Sequence, residues 1–185
     1  MPISVLIDRN DEVRLSVTAF DLAEAIARMD TREVPGPKDN PLILAMLNSV
    51  AKWPEHDEVA WCSAACSFTA ELLDLPRPEL LKYPHEDQSA MGQGPLQART
   101  WLRVGRPVPL SEAKRGFDVV VIKRGLVSPG PEVIDAPGHV FFFSHLVIDQ
   151  DGSQWVHGIG GNQSNAMGYG RYNADRVLGV RRLLG

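Results

Sequence analysis

The chain has 185 residues, 44% of them hydrophobic, and this length and apolar content predict one compact domain with a substantial core. A net charge of −4 and a pI of about 5.7 argue against a nucleic-acid surface, which would appear as a basic face. No apolar run approaches the roughly 18 residues of a membrane span. The opening residues lack the order of a secretory signal, so we expect any export to use another route.

The first part of the chain predicts short strands and then helices. Two apolar segments, residues 3–7 and 13–17, flank a polar turn and predict a hairpin or two short strands. Apolar residues at helical spacing predict an amphipathic helix over residues 21–29. Asn40 and Pro41 predict the N-cap and first residue of the next helix.

A third helix is predicted to begin at Cys62, after a polar turn that contains Pro54, and to end before Pro76. Residues 80–95 contain prolines, glycines and mixed charges, which predict a long excursion without regular structure. Residues 98–102 predict one or two helical turns. We treat the first thirty residues as an extension of the same compact unit, followed by one main domain.

The second half predicts an antiparallel sheet. A β-branched run over residues 117–122 predicts the first of its strands, and an apolar run over 139–148 predicts the next. The hairpin signal at 151–152 predicts that residues 154–159 pair antiparallel with that strand. Residues 177–184 predict the last strand. Helices followed by an antiparallel sheet are typical of the α+β class.

Cys62 is the candidate nucleophile, because the helix macrodipole and a neighbouring imidazolium would both lower its pKa from about 8.5. His139 begins an apolar strand, is expected to face the cysteine helix, and is the candidate base. Its second ring nitrogen needs a group that fixes the ring, and Asn162, just past the adjacent strand, is the candidate. The backbone N–H of Cys62 is expected to stabilise the oxyanion, together with a side chain that the sequence does not identify.

A metal site is the competing interpretation of these residues. Cys62, Cys66 and a histidine have suitable spacing, but no second pair completes a tetrahedral site, so we expect no metal and no other cofactor. Cys66 lies one turn into the helix and is expected to be structural. His145 and His157 fall on predicted strands, but His145 lies about 20 Å along the strand from His139 and is too far to serve the same thiol.

Four short motifs occur in one order: WC at 61–62, RTWL at 99–102, GHV at 138–140 and GGNQS at 160–164. In this order they resemble the CHAP and NlpC/P60-type cysteine peptidases and amidases, most closely a small phage-associated subgroup. The resemblance covers residues 32–182. It implies a papain-like α+β fold, with N-terminal helices packed on a C-terminal antiparallel sheet, and cleavage of an amide bond of peptidoglycan through a thioacyl-enzyme.

The resemblance also implies roles for individual residues, with Cys62 as nucleophile, His139 as base and Asn162 as the orienting group. Many CHAP domains have an acidic residue two positions before that asparagine, where this chain has Gly160, so Asn162 acts alone or shares the role with Gln163. Further residues are expected to contact substrate or line its groove: Glu58, Trp61, Arg99, Trp101 and Gln163.

Four of these residues have alternative interpretations. Trp61 and Trp101 can serve as packing and groove-lining residues instead of a recognition surface. Glu58 can cap the cysteine helix, and this is its favoured role. Arg99 can form an ion pair with a neighbour such as Asp118 or bind a peptide carboxylate.

The expected partner is the stem peptide of peptidoglycan, and the bond cut is that of either an N-acetylmuramoyl-L-alanine amidase or a D-glutamyl-diaminopimelate endopeptidase. Two settings stay open. A phage lysin would leave the cytoplasm through a holin pore, whereas an injected effector would be accompanied by an inhibitor (immunity) protein. In both, the chain is made in the cytoplasm and acts in the periplasm or cell wall. The alternative is an inactive wall-binding or virion module of the same fold.

Overall fold

The computed structural model describes residues 4–7, 13–81, 94–125 and 128–184, with side chains from residue 17 onward. Most of the predicted excursion at residues 80–95 lies outside this part of the chain. The secondary structure consists of β1 (Ser4–Ile7), β2 (Val13–Ser16), α1 (Ala19–Arg28), α2 (Pro41–Val50), α3 (Cys62–Glu71), β3 (Arg106–Val108), β4 (Asp118–Lys123), β5 (Gly138–Ile148), β6 (Gln154–Gly160), β7 (Gly168–Asn173) and β8 (Val177–Arg182), with short 3₁₀ helices between them.

Local signals explain where the first two helices begin. Thr18 caps α1 in a capping box, in which its hydroxyl accepts from the N–H of Asp21 and its own N–H donates to the Asp21 carboxylate. The side chain of Asn40 accepts from the N–H of Leu42 at 2.9 Å, and Pro41 is the first residue of α2. The predicted cap of α2 is therefore confirmed.

The six-stranded sheet has the order β3-β8-β4-β5-β6-β7, and every neighbouring pair is antiparallel. The four strands that the sequence predicts for this sheet are present, and β1 pairs with β2 in the predicted hairpin. Strands β3 and β7 were not predicted, because Pro107 interrupts the first and two glycines weaken the strand signal of the second. The α+β class with an antiparallel sheet is confirmed.

The sheet buries both of its faces. Val140 and Phe142 of β5 point toward the helices and join one core with Ala64 and Ala65 of α3. The alternate residues of β5, among them Phe141, point to the opposite face and form a second core. The alternation along β5 therefore decides which side chains can meet α3.

Candidate functional site

Cys62 is the first residue of α3, as the sequence predicts, and α3 begins without a side-chain cap. The cysteine opens onto a cleft of about 320 Å³. This surface, called the Cys62 cleft below, is lined by Ala60, Cys62, Leu96, Gln97, Ala98, Arg124, Asp135, Ala136, Pro137 and Gly138. Only 3% of the Cys62 surface is exposed, so the cleft reaches a nearly enclosed thiol.

The thiol of Cys62 is not activated in the way the sequence predicts. Full burial raises its pKa, and this effect outweighs the backbone hydrogen bond from Val140, the charge of Arg124 and the N–H groups at the start of α3. The expected lowering of this pKa is therefore wrong, because desolvation opposes the thiolate more strongly than the helix terminus favours it. Near neutral pH, Cys62 is a protonated thiol.

The contact between Cys62 and Val140 places the thiol beside a part of β5 that is not paired with β6. The registered pairing of β5 with β6 begins at Phe142 opposite Ile159, so the first residues of β5 extend beyond it. At this end of β5, the backbone of Val140 forms its hydrogen bond with the Cys62 thiol. The helix that carries the cysteine thus meets the strand one residue after His139.

His139 is the second residue of β5, but its ring lies on the face turned away from α3. The ring centroid is 5.8 Å from that of Phe141 and 5.6 Å from that of Tyr172, both of which belong to the opposite core. The expectation that His139 faces the cysteine helix is wrong, because strand alternation assigns that face to Gly138 and Val140.

His139 is also uncharged and without a hydrogen-bond partner. Burial, together with the smaller effects of the charges of Arg124 and Arg176, lowers its pKa to about 3. Neither ring nitrogen forms a hydrogen bond with any described residue, Cys62 and Asn162 included. The arrangement is therefore a neutral thiol beside a strand that carries a neutral imidazole, and the imidazole would need more polar surroundings before it could take the thiol proton.

Asn162 lies in the loop after β6, where its φ of 55° is in the left-handed region that asparagine tolerates. This loop touches α3 directly, since a Cβ added to Gly161 would lie 2.5 Å from the Cβ of Ala65. In the same loop, the N–H of Gln163 donates to the carbonyl of Ala166 at 2.9 Å. Asn162 thus forms part of a tight turn packed against the helix of Cys62.

Gln163 is joined to the surroundings of His139 through Tyr172. The Tyr172 hydroxyl donates to Oε1 of Gln163 at 3.1 Å, and the Tyr172 ring stacks on Phe141 with centroids 5.0 Å apart. The buried Nε2 of Gln163 has no partner among the described residues. Sequence reasoning missed Tyr172, because strand β7 that carries it was not predicted.

Trp61 and Trp101 are fully buried, so both indoles pack in the core instead of lining a groove. The Nε1 of Trp61 donates to the carboxylate of Glu33 at 2.8 Å, and the Nε1 of Trp101 donates to the hydroxyl of Ser63 at 2.9 Å. Each bond satisfies the N–H of an indole, which is the one polar group of that ring. The two bonds also fix Trp61 and Ser63, the residues on either side of Cys62. Both tryptophans are therefore packing residues of the core.

Glu58 does not cap the cysteine helix. Trp61 occupies the N-cap of α3 without a side-chain bond, and Glu58 is exposed. Glu58 lines a different cleft, shared with Arg32, Glu33, Val34, Pro35, Ser164 and Asn165. The predicted capping role of Glu58 is therefore wrong, and the residue belongs to the outer side of the 161–165 loop.

Arg99 does not form the ion pair with Asp118 that the sequence suggested. Asp118 pairs with Arg182 instead, at 2.7 Å. The guanidinium of Arg99 is fully buried and donates to the loop before β5, to Ser128 Oγ and to the carbonyls of Pro129, Gly130, Val133 and Pro137. Pro137 lines the Cys62 cleft, so Arg99 holds one wall of that cleft from its buried side.

The remaining candidates lie apart from the cleft. Cys66 is buried, and burial raises its pKa well above the ordinary range, as expected for a structural thiol. His145 and His157 face each other across β5 and β6, with ring centroids 4.5 Å apart. Within the part of the chain that the structure describes, no three histidine, cysteine or acidic side chains are grouped to hold a metal.

Comparisons with protein-family models, curated proteins and solved structures found no match. Among the described residues, no helix combines the length and apolarity that crossing a membrane requires.

Proposed function

We propose that this chain is a cysteine-dependent hydrolase of amide bonds, with Cys62 as nucleophile and His139 as base. The observation that carries the proposal is the position of Cys62. It begins an uncapped helix, opens onto a cleft and receives a hydrogen bond from Val140, the residue after His139. The helix start, the cleft and the hydrogen bond from the strand of His139 thus all involve the same thiol.

The neutral state of both groups indicates general-base catalysis instead of a preformed ion pair. As the Cys62 sulfur attacks the amide carbonyl, His139 takes the thiol proton and then gives it to the leaving amine when the C–N bond breaks. Water, deprotonated by His139, then hydrolyses the thioester. These transfers require a separation of about 3 Å, so the His139 ring must move toward Cys62 when substrate binds.

The oxyanion is assigned to two donors. The first is the backbone N–H of Cys62 at the free start of α3. The second is the side-chain amide of Gln97, which lines the same cleft and whose buried Oε1 has no partner among the described residues. Gln163, held by Tyr172, shares with Asn162 the task of orienting His139.

We propose the stem peptide of peptidoglycan as the substrate and a papain-like arrangement of the NlpC/P60 and CHAP type as the fold. The order of the four sequence motifs supports this, as does a cysteine helix packed on an antiparallel sheet. In this proposal the chain acts in the periplasm or cell wall, as a lysin or as an effector that a specific inhibitor protein accompanies.

A second candidate function follows from the isolation of His139. Both of its ring nitrogens are unpartnered among the described residues and its pKa is lowered to about 3, mainly by burial. A wall-binding or virion module that keeps the fold without turnover would tolerate this state.

Digestion of purified Gram-negative sacculi by the wild type and by Cys62→Ala, followed by mass spectrometry, separates the two candidates. We expect fragments from the wild type and none from Cys62→Ala, and their masses identify the bond. Cys66→Ala is the matched control, because it removes the other thiol of α3, and it should retain activity. Binding to sacculi without release by the folded, reduced wild type would favour the module.

A further inference from the structure

One positive charge stands in the Cys62 cleft. Arg124 follows the last residue of β4, is exposed, and lines the cleft together with Cys62. Its backbone is fixed, since its N–H donates to the carbonyl of Pro137 at 3.2 Å. Arg124 takes part in none of the ion pairs formed among the described residues.

The charge of Arg124 reaches the groups around the thiol. Burial raises the pKa of Cys62 and of Tyr172, and the charge of Arg124 opposes both rises. Burial lowers the pKa of His139, and Arg124 adds to that lowering. A cation that acts on all three groups and lines the cleft is close to where a substrate would react.

Among the described residues, no other charge near the cleft forms an ion pair with this cation. Asp135 lines the same cleft on the loop that Arg99 holds, but it forms no ion pair with Arg124. Arg176, the other cation near His139, is turned toward the end of β4 and donates to the carbonyl of Lys123 at 3.1 and 3.0 Å. Arg124 is therefore the guanidinium available to a ligand in this cleft.

We infer that Arg124 binds a carboxylate of the substrate, so that the Cys62 cleft selects acyl compounds carrying a free carboxylate near the amide that is cut. The planar guanidinium offers paired N–H donors that match a carboxylate, which a lysine would not reproduce. This inference rests on the proposed function for the position of the cut amide, and it adds the class of substrate.

The test uses the disaccharide-tripeptide muropeptide and the same compound with its carboxyl groups converted to carboxamides. Calorimetry measures the binding of each to Cys62→Ala, which cannot turn over. We expect the carboxylate form to bind about 10- to 100-fold more tightly than the carboxamide. Adding Arg124→Gln should abolish this preference, whereas Arg124→Lys should restore only part of it.

Arg103→Gln is the control, because Arg103 is an exposed arginine that lines a different cleft. It should leave the preference unchanged, and thermal unfolding should show that every variant is folded. The inference is overturned if the preference survives Arg124→Gln, if wild-type Arg124 shows no preference, or if neither compound binds.

Turnover by the wild type is measured separately. A failure of the proposed hydrolase can therefore be distinguished from a failure of the inference that Arg124 binds a carboxylate. An Arg124-dependent preference without release of fragments would sustain the inference and overturn the hydrolase. Release of fragments at equal rates from both compounds would do the reverse. Absence of both binding and release would overturn the two together.

Discussion

At the scale of single residues, Cys62 experiences two opposing influences. The free N–H groups of α3 and the charge of Arg124 favour its thiolate, while enclosure between the helix and β5 favours the thiol. Enclosure prevails, and the imidazole of His139 is uncharged for the same reason. Burial therefore sets the protonation state of both candidate catalytic groups.

The protonation state of Cys62 predicts how its reactivity depends on pH. In a Cys66→Ala background, the rate of alkylation by iodoacetamide should rise about tenfold per pH unit and show no plateau below about pH 8.5, because only the thiolate reacts. Mass spectrometry of the intact protein, in samples quenched at set times, measures this rate. A plateau below pH 7 would reveal a thiolate-imidazolium pair and contradict the enclosed thiol.

His139 predicts a loss of stability in acid. The unfolded chain binds this proton near pH 6.5, whereas the folded chain binds it only near pH 3, mainly because the ring is buried. Between these values the unfolded state holds more protons, so the free energy of unfolding falls as the pH falls. Between pH 6.5 and 4.5, the wild type should lose about 2 kcal/mol more than His139→Phe, as measured by urea titration.

The control for this measurement is His56→Gln. Its side chain is 68% exposed and lies 3.4 Å from Asp39, so this variant removes a surface histidine and leaves the buried ring in place. Parallel curves for the wild type and His139→Phe would mean that the buried ring accepts a proton as readily in the folded chain as in the unfolded one.

At the scale of elements, the Cys62 cleft depends on residues 128–137, which form no helix or strand. The loop between β4 and β5 reaches the cleft through Asp135 and Pro137, and the guanidinium of Arg99 binds its carbonyls from inside. One side chain thus replaces the backbone hydrogen bonds that a strand or helix would supply.

Replacing this guanidinium should loosen the loop. Arg99→Lys retains the charge but leaves several buried carbonyls without donors, so the free energy of unfolding should fall by about 2–4 kcal/mol. Limited proteolysis should cut within residues 128–137 faster than in the wild type. Arg103→Lys, on the same 3₁₀ helix but exposed, is the control, and equal cleavage rates in the two variants would contradict the role of Arg99.

The same elements show which signals the sequence carries. The starts of α2 and α3 and the β5-β6 hairpin follow from neighbouring residues, and all were predicted. Strand β7 is held by pairing with β6, a long-range interaction that overrides its two glycines. The position of Tyr172 depends on that strand, and the partners of Arg99 depend on the folded loop. Neither could therefore be predicted from the sequence.

At the scale of the whole molecule, the helical layer is in close contact with the loop after β6 beside Cys62. A Cβ at Gly161 would lie 2.5 Å from the Cβ of Ala65 and 2.5 Å from the Trp61 ring. The sequence predicted Cys62 and His139 as site residues, because each begins an element. It did not predict the face of His139 or the position of Arg124 in the cleft, because these depend on how the layers pack.

This close contact predicts a large effect of one methyl group. Gly161→Ala should lower the free energy of unfolding by about 1–3 kcal/mol, because the helix and the loop must separate to admit the Cβ. Gly168→Ala is the matched control, since a Cβ there has nothing within 4 Å. Urea titration of both variants measures the difference, and equal stability of the two would contradict the close packing.

The enclosure of Cys62 also has a consequence for oxidation. Peroxides attack thiolates, so a residue kept as a thiol reacts slowly with them. The chain has only two cysteines, and Cys66 is fully enclosed one turn deeper in the same helix. A sulfenic acid formed on Cys62 would therefore condense with a small thiol entering through the cleft and lose water, and a second small thiol would then displace the mixed disulfide and restore Cys62. The protein resists oxidants by being slow to react, and its recovery depends on the thiols of its surroundings.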